Sequence, residues 1–252
     1  MIISEMKVRR IALPHEHGAW MMWIAPLAAG LAGTPWHPSK PVLAGAVLFA
    51  YLASYCLLQA LRQPRETKLW RRWALGYGVL AFAFGVPLLW MRPLLLVVAA
   101  VSLFGFAVNA WFAYHRNERH LLNDLVAIAV LNLAAVAGYV AGTGRWDAQA
   151  WLLWGLNLLY FFGTALHVKS VIRERDNPWL KREAVAYAVG TPVALAASGH
   201  LVLAGAYLPA AVRALLIPQH HGFKAVVLGV IEIVCSLWFM VWLIAWARHA
   251  LS

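Results

Sequence analysis

The sequence predicts an all-α, multi-spanning transmembrane bundle of about nine helices, and three observations carry that prediction. Of the 252 residues, 63% are hydrophobic and only 12% are Asp, Glu, Lys or Arg, about half the charge usual in soluble domains. A water-soluble fold of this size would lack the polar surface to cover itself, whereas lipid solvates a membrane protein. Apolar stretches near the ~20 residues needed to cross a hydrocarbon core recur along the chain. Finally, lysines and arginines gather in short clusters between those stretches, as membrane topology requires.

Helix 1 is expected from about Gly18 to Gly33, which is short, and helix 2 from Pro41 to Leu61. Helix 3 follows over Trp73–Trp90, helix 4 over Pro93–Tyr114, helix 5 over Asp124–Gly142 and helix 6 over Ala148–His167. The stretch Ala184–Leu216 is too long for one span and is interrupted at Ser198-Gly199 and at Pro209. It divides into helix 7, Ala184–Ser198, and helix 8, His200–Leu216. Helix 9 runs from Lys224 to Trp246. Together they form a single integral membrane domain over 1–252, with 1–14 a short cytoplasmic tail. Lys7, Arg9 and Arg10 before an apolar stretch resemble a signal peptide, but Pro26 and the many later spans favour a retained first helix.

Of the 21 lysines and arginines, 17 fall before helix 1 or at the exits of helices 2, 4, 6 and 8. The other side holds only Lys40, Arg92, Arg145 and Arg248. The positive-inside rule therefore places the N-terminus and the even exits in the cytoplasm. Fusing helices 7 and 8 into one, for eight spans, gives 16 against 5, so charge alone barely separates the two counts. The net charge of +11 is distributed in a way that suits anionic headgroups and the lipid bilayer, not nucleic acid. Cys56 and Cys235 sit inside apolar runs without metal-ligand spacing, and read as buried thiols.

Four stretches offer chemistry. At the start of helix 1, His15-Glu16-His17 meets the free amides of a helix N-terminus, where anions are favoured. His17 is its ligand-facing candidate; the two histidines have no third ligand for a metal. Between helices 4 and 5 lie Arg116, Glu118, Arg119, Asn123 and Asp124. Asn123 reads as the N-cap of helix 5, with Asp124 set against the helix dipole. Asn109, Asn132 and Asn157, inside helices 4, 5 and 6, read as lining a polar cavity or bonding a neighbouring helix. Asn109 and Arg116, seven apart, would share a face.

The exit of helix 6, HVKSVIRERD from His167 to Asp176, concentrates the charge. If the helix continues, Lys169 and Arg173 stack at i, i+4, with His167, Ser170 and Glu174 on a neighbouring face and Arg175 beside them. Stacked cations near a hydroxyl suit a phosphate or carboxylate. The last candidate is Glu232, inside helix 9; an intramembrane carboxylate is by default a functional hypothesis, and Arg213 is its candidate partner.

The motifs EHGAW (Glu16–Trp20), NERHLLNDL (Asn117–Leu125) and VKSVIRER (Val168–Arg175) resemble the YwiC-like family of bacterial membrane proteins, over essentially the whole chain. More distantly, the layout is similar to UbiA-type prenyltransferases, which implies nine helices and a site at the cytoplasmic mouth, built from the exits of helices 2, 4 and 6. Those enzymes hold magnesium on two aspartate-rich motifs. This chain has no D-x-x-x-D, and helix 2 ends in Gln59-Ala60-Leu61-Arg62, with a cation where the first motif would stand.

The expected function is a basic, cytoplasm-facing pocket for an anionic amphiphile, an isoprenoid or lipid phosphate, with UbiA-like transfer as its catalytic extension. Its ligand-binding residues are His17, Arg116, Glu118, Arg119, Asn123, Asp124, Lys169, Ser170, Arg173, Glu174, Arg175, Arg213 and Glu232, and no metal is assigned. The alternatives are a transporter of a small anion or proton-coupled solute, suggested by Glu232 and the three asparagines, and a non-catalytic membrane scaffold.

Overall fold

A computed structural model describes residues 12–14, 17–118, 120–217 and 225–250. It is all-helical: nine α-helices and no strand among those residues. They are α1 (His17–Ala32), α2 (Ser39–Arg62), α3 (Thr67–Met91), α4 (Leu95–Tyr114), α5 (Leu121–Thr143), α6 (Ala148–Val168), α7 (Pro178–Ala197), α8 (Leu201–Leu216) and α9 (Ala225–Ala250). Lipid offers no partner to a free amide or carbonyl, so each spanning segment must satisfy its backbone internally. Among the described residues, six helices are long and apolar enough to cross a membrane: α2, α3, α4, α5, α6 and α9. At 16 residues each, α1 and α8 reach about 24 Å, short of a ~30 Å core.

Several helices extend beyond their apolar runs. α3 begins six residues before the expected Trp73, through Lys68, Arg71 and Arg72, and α7 six before Ala184, through Lys181, Arg182 and Glu183. Lysine, arginine and glutamate are good helix formers. The apolar run marks the part of a helix in hydrocarbon; the helix itself continues into the headgroups. α5 likewise starts at Leu121, with His120 as its N-cap, accepting from Leu122 N at 3.2 Å. Asn123 is therefore not the cap. The break at Ser198-Gly199 is real: Gly199 has φ +86, and its amide bonds Ala196 O as α7 ends. Pro209, by contrast, lies within α8 and ends nothing.

α5 is the central helix, buried almost continuously from Asn132 to Gly142 and packed on α1, α2, α4 and α6. Its small side chains let α1 approach backbone to backbone. A Cβ added at Gly138 would lie 2.9 Å from Leu31 N, and one at Gly30 would strike the Ala135 carbonyl. Small residues at such crossings are the usual basis of helix association in lipid, where apolar side chains gain little by leaving the tails. A second core joins α1, α6, α8 and α9 around Tyr160, stacked on Phe239 at 3.9 Å. Aromatic tips there bond neighbouring helices: Tyr207 donates to Leu156 O at 2.6 Å and Trp238 to Gly205 O at 3.0 Å. α3 is peripheral, packed chiefly on α2.

Side chains tie each end of the bundle. At one end, Lys40 donates to Leu31 O and Thr34 O, Ser39 to Ala141 O, and Arg92 to Ala141 O. At the other, Arg62 meets Glu118 at 2.9 Å, and Lys181 donates to Ala214 O and Ile217 O. That second end gathers the exits of α2, α4, α6 and α8, and forms a basic rim.

Candidate functional site: the basic rim

α6 does not run straight through its charged exit. Lys169–Arg173 is a π-helical turn, closed by Glu174 N on Lys169 O at 2.8 Å. The wider turn changes the register expected of an α-helix, so Lys169 and Arg173 are not stacked cations. Lys169 faces Glu174 at 3.6 Å, and Arg173 reaches across to Asp124 at the start of α5, at 3.7 Å. π turns inside helices occur often at functional sites.

Ser170 is fully buried and donates to His167 O at 2.8 Å, so its hydroxyl is turned inward and does not join the rim as a ligand group. Asn123 donates to Glu118 O at 2.9 Å and braces the α4–α5 connection. Arg116 lies past the end of α4 with φ +53, an uncommon conformation for a residue other than glycine. It is off the helix and exposed, so the face expected in common with Asn109 does not form. Arg175 is exposed in the turn after the π segment. Arg119 lies outside the described residues; His17 opens α1, and its side chain is likewise outside them.

Arg213 and Glu232 pair directly across α8 and α9, both at 4% exposure, within the bundle beside the α8 exit, where Lys181 donates to Ala214 O. Asn132 and Asn157 donate back to Ile128 O and Leu153 O of their own helices, at 2.7 and 2.8 Å. Their Oδ1 atoms, and that of Asn109, are buried without a hydrogen-bond partner among the described residues.

Between α5 and α6 the rim closes over a narrow cleft. Asp124 and Lys169 stand at it, above Leu121, Leu125, Ile128 and Phe162. The space is about 10 Å³, room for roughly one water. Among the described residues no group of three or more His, Cys, Asp or Glu is placed to hold a metal.

Sequence reasoning missed Arg62 as a site residue. Its partner Glu118 is 56 positions away, and only the charge cluster at the α2 exit signalled it.

Long apolar helices, a charged rim and a buried intramembrane ion pair define a polytopic helical membrane protein. Residues 13–139 match the YwiC-like protein family. A Bacillus subtilis protein described as "Uncharacterized protein YwiC" is 32% identical over 235 residues, covering 90% of this chain and 95% of that one. An uncharacterized Haemophilus influenzae protein is 29% identical, covering 94% and 99%. The chain belongs to the YwiC-like family. No solved structure matches it.

Proposed function

We propose that this protein binds an anionic amphiphile, an isoprenoid or lipid phosphate, at the rim between α4, α5 and α6, on the cytoplasmic side of the bacterial inner membrane. One observation carries the reading: Asp124 and Lys169 stand over a wholly apolar cleft floor, with Arg173 drawn to Asp124. The cleft as it stands holds about one water, so an amphiphile would set its phosphate at this charged mouth and lay its chain outside, along the lipid-facing helices. The rim pairs at 3.6 and 3.7 Å are longer than hydrogen bonds. Partly exposed pairs of this kind contribute ~0–1 kcal/mol, so a phosphate can displace either carboxylate at little cost. Lys169, Arg173, Arg175, Arg116 and Arg119 would hold the anion; His17, Glu118, Asp124 and Glu174 would orient it. A UbiA-like transfer reaction would have to proceed on these cations, without aspartate-rich motifs.

Binding of polyprenyl phosphates to the purified protein tests the proposal. Lys169→Ala with Arg173→Ala should weaken it at least tenfold, about 1.4 kcal/mol. Unchanged binding in the double variant would overturn the assignment.

The buried Arg213–Glu232 pair supports a second reading, transport of a small anion or proton-coupled solute, because charge inside a membrane is costly and usually functional. Uptake into liposomes at several pH values tests it; a silent result throughout removes it.

A further inference from the structure

The exposed face of α3 forms a groove with the end of α2, lined by Leu57, Leu75, Gly78, Val79 and Phe82, with Arg71 at its headgroup end. Its volume is about 450 Å³, and it is open along one side. Residues 71, 75, 78, 79 and 82 recur at helical spacing, so they share one face of α3. From Arg71 to Phe82 the groove follows the helix for roughly 16 Å. A Cβ at Gly78 would meet nothing within 4 Å, so the floor is open there. Another face of α3 is already occupied: Tyr77 is buried, stacks with Phe49 and Trp73, and donates to Ala12 O at 3.4 Å.

We propose that this groove is a binding site for an anionic phospholipid, with one acyl chain along α3 and the phosphate on Arg71. Charge complementarity selects this occupant. The segment Arg62–Arg72 carries five cations, Arg62, Arg65, Lys68, Arg71 and Arg72, against one acid, Glu66. Arg62 is engaged by Glu118, whereas Arg65, Lys68, Arg71 and Arg72 are exposed and form no ion pair among the described residues. The tail cannot supply selectivity, since it leaves one apolar medium for another. Preference therefore rests on the headgroup, at about fivefold per cation close to the anion. This site lies on the α2–α3 pair and goes beyond the rim between α4, α5 and α6; it stands or falls separately.

Native mass spectrometry of the detergent-solubilised protein, titrated with phosphatidylglycerol or phosphatidylcholine, tests the proposal. The chain should retain one phosphatidylglycerol at this site, in preference to phosphatidylcholine. Arg71→Gln should lower that affinity about fivefold. Gly78→Phe fills the groove from a position with free space around it, and should remove the bound lipid while leaving the melting temperature in place. Lys169→Ala with Arg173→Ala should leave in place the lipid that Gly78→Phe removes, which separates this site from the rim. Equal retention of the two lipids, or full retention by both Arg71→Gln and Gly78→Phe, overturns the proposal. So does efficient disulfide pairing of Leu75→Cys between chains in bilayers, which would assign the groove to a second copy.

Discussion

Arg213 and Glu232 meet inside the bundle, almost wholly buried. Each is 4% exposed, on α8 and α9, and Arg213 Nη1 donates to Glu232 Oε2, while Arg213 Nε and Nη2 and Glu232 Oε1 are buried without a hydrogen-bond partner among the described residues. Removing one partner of a buried pair strands the other, at about 3–5 kcal/mol, whereas replacing both with apolar side chains is often neutral. Arg213→Met alone should therefore lower the melting temperature sharply in detergent. Arg213→Met with Glu232→Leu should recover most of the loss if the pair is structural. If the pair serves transport, the double variant will be stable and inactive. Ser170 makes a milder case: its one bond is to the carbonyl three residues back in its own helix. Ser170→Ala should cost no more than about 1 kcal/mol and leave amphiphile binding unchanged, as thermal melts and binding titrations will show.

At the scale of elements, the α1–α5 crossing and the π turn are where helix geometry counts most. Gly30 and Gly138 lie where a side chain would enter the opposite backbone. Gly138→Leu should abolish stable folding, read as loss of a monodisperse peak on size exclusion. Gly76 has nothing within 4 Å of its absent Cβ, so Gly76→Ala in α3 should be neutral or slightly stabilising. Which glycine is which could not be read from the chain, because both sit in apolar runs and differ only in what packs opposite. The π turn was equally hidden. Lys169 and Arg173 at i, i+4 are what an α-helix would stack, and the turn turns Arg173 toward Asp124 of α5 instead. Helix ends were legible to within a few residues where an apolar run met a turn, as at Ser198-Gly199. They were missed where charged helix formers carried the helix onward, as at Thr67 and Pro178.

Across the molecule, the two ends differ in chemistry. One is fastened by Lys40, Ser39 and Arg92 on backbone carbonyls; the other carries the clustered cations and most of the ion pairs. With Cys56 and Cys235 both buried, engineered thiols report cleanly on sidedness. Cysteines at Arg65, Arg116 and Arg175 should be blocked only by a membrane-permeant reagent in intact cells, and those at His37, Arg92 and Arg145 by an impermeant one. The opposite pattern would reverse the orientation, and a mixed one would dismantle the rim.

The sequence by itself determined that this protein is helical and membrane-embedded, where its helices roughly fall, and that its charges collect between alternate helices. Those properties follow from composition and period, which each segment carries locally. Only the tertiary structure decided which rim charges meet. The pairing of Arg213 with Glu232 on consecutive helices was already expected from the sequence, whereas Arg62 with Glu118 and Arg173 with Asp124 lie 56 and 49 positions apart. Their partners are set by how the helices pack, a property no single segment contains.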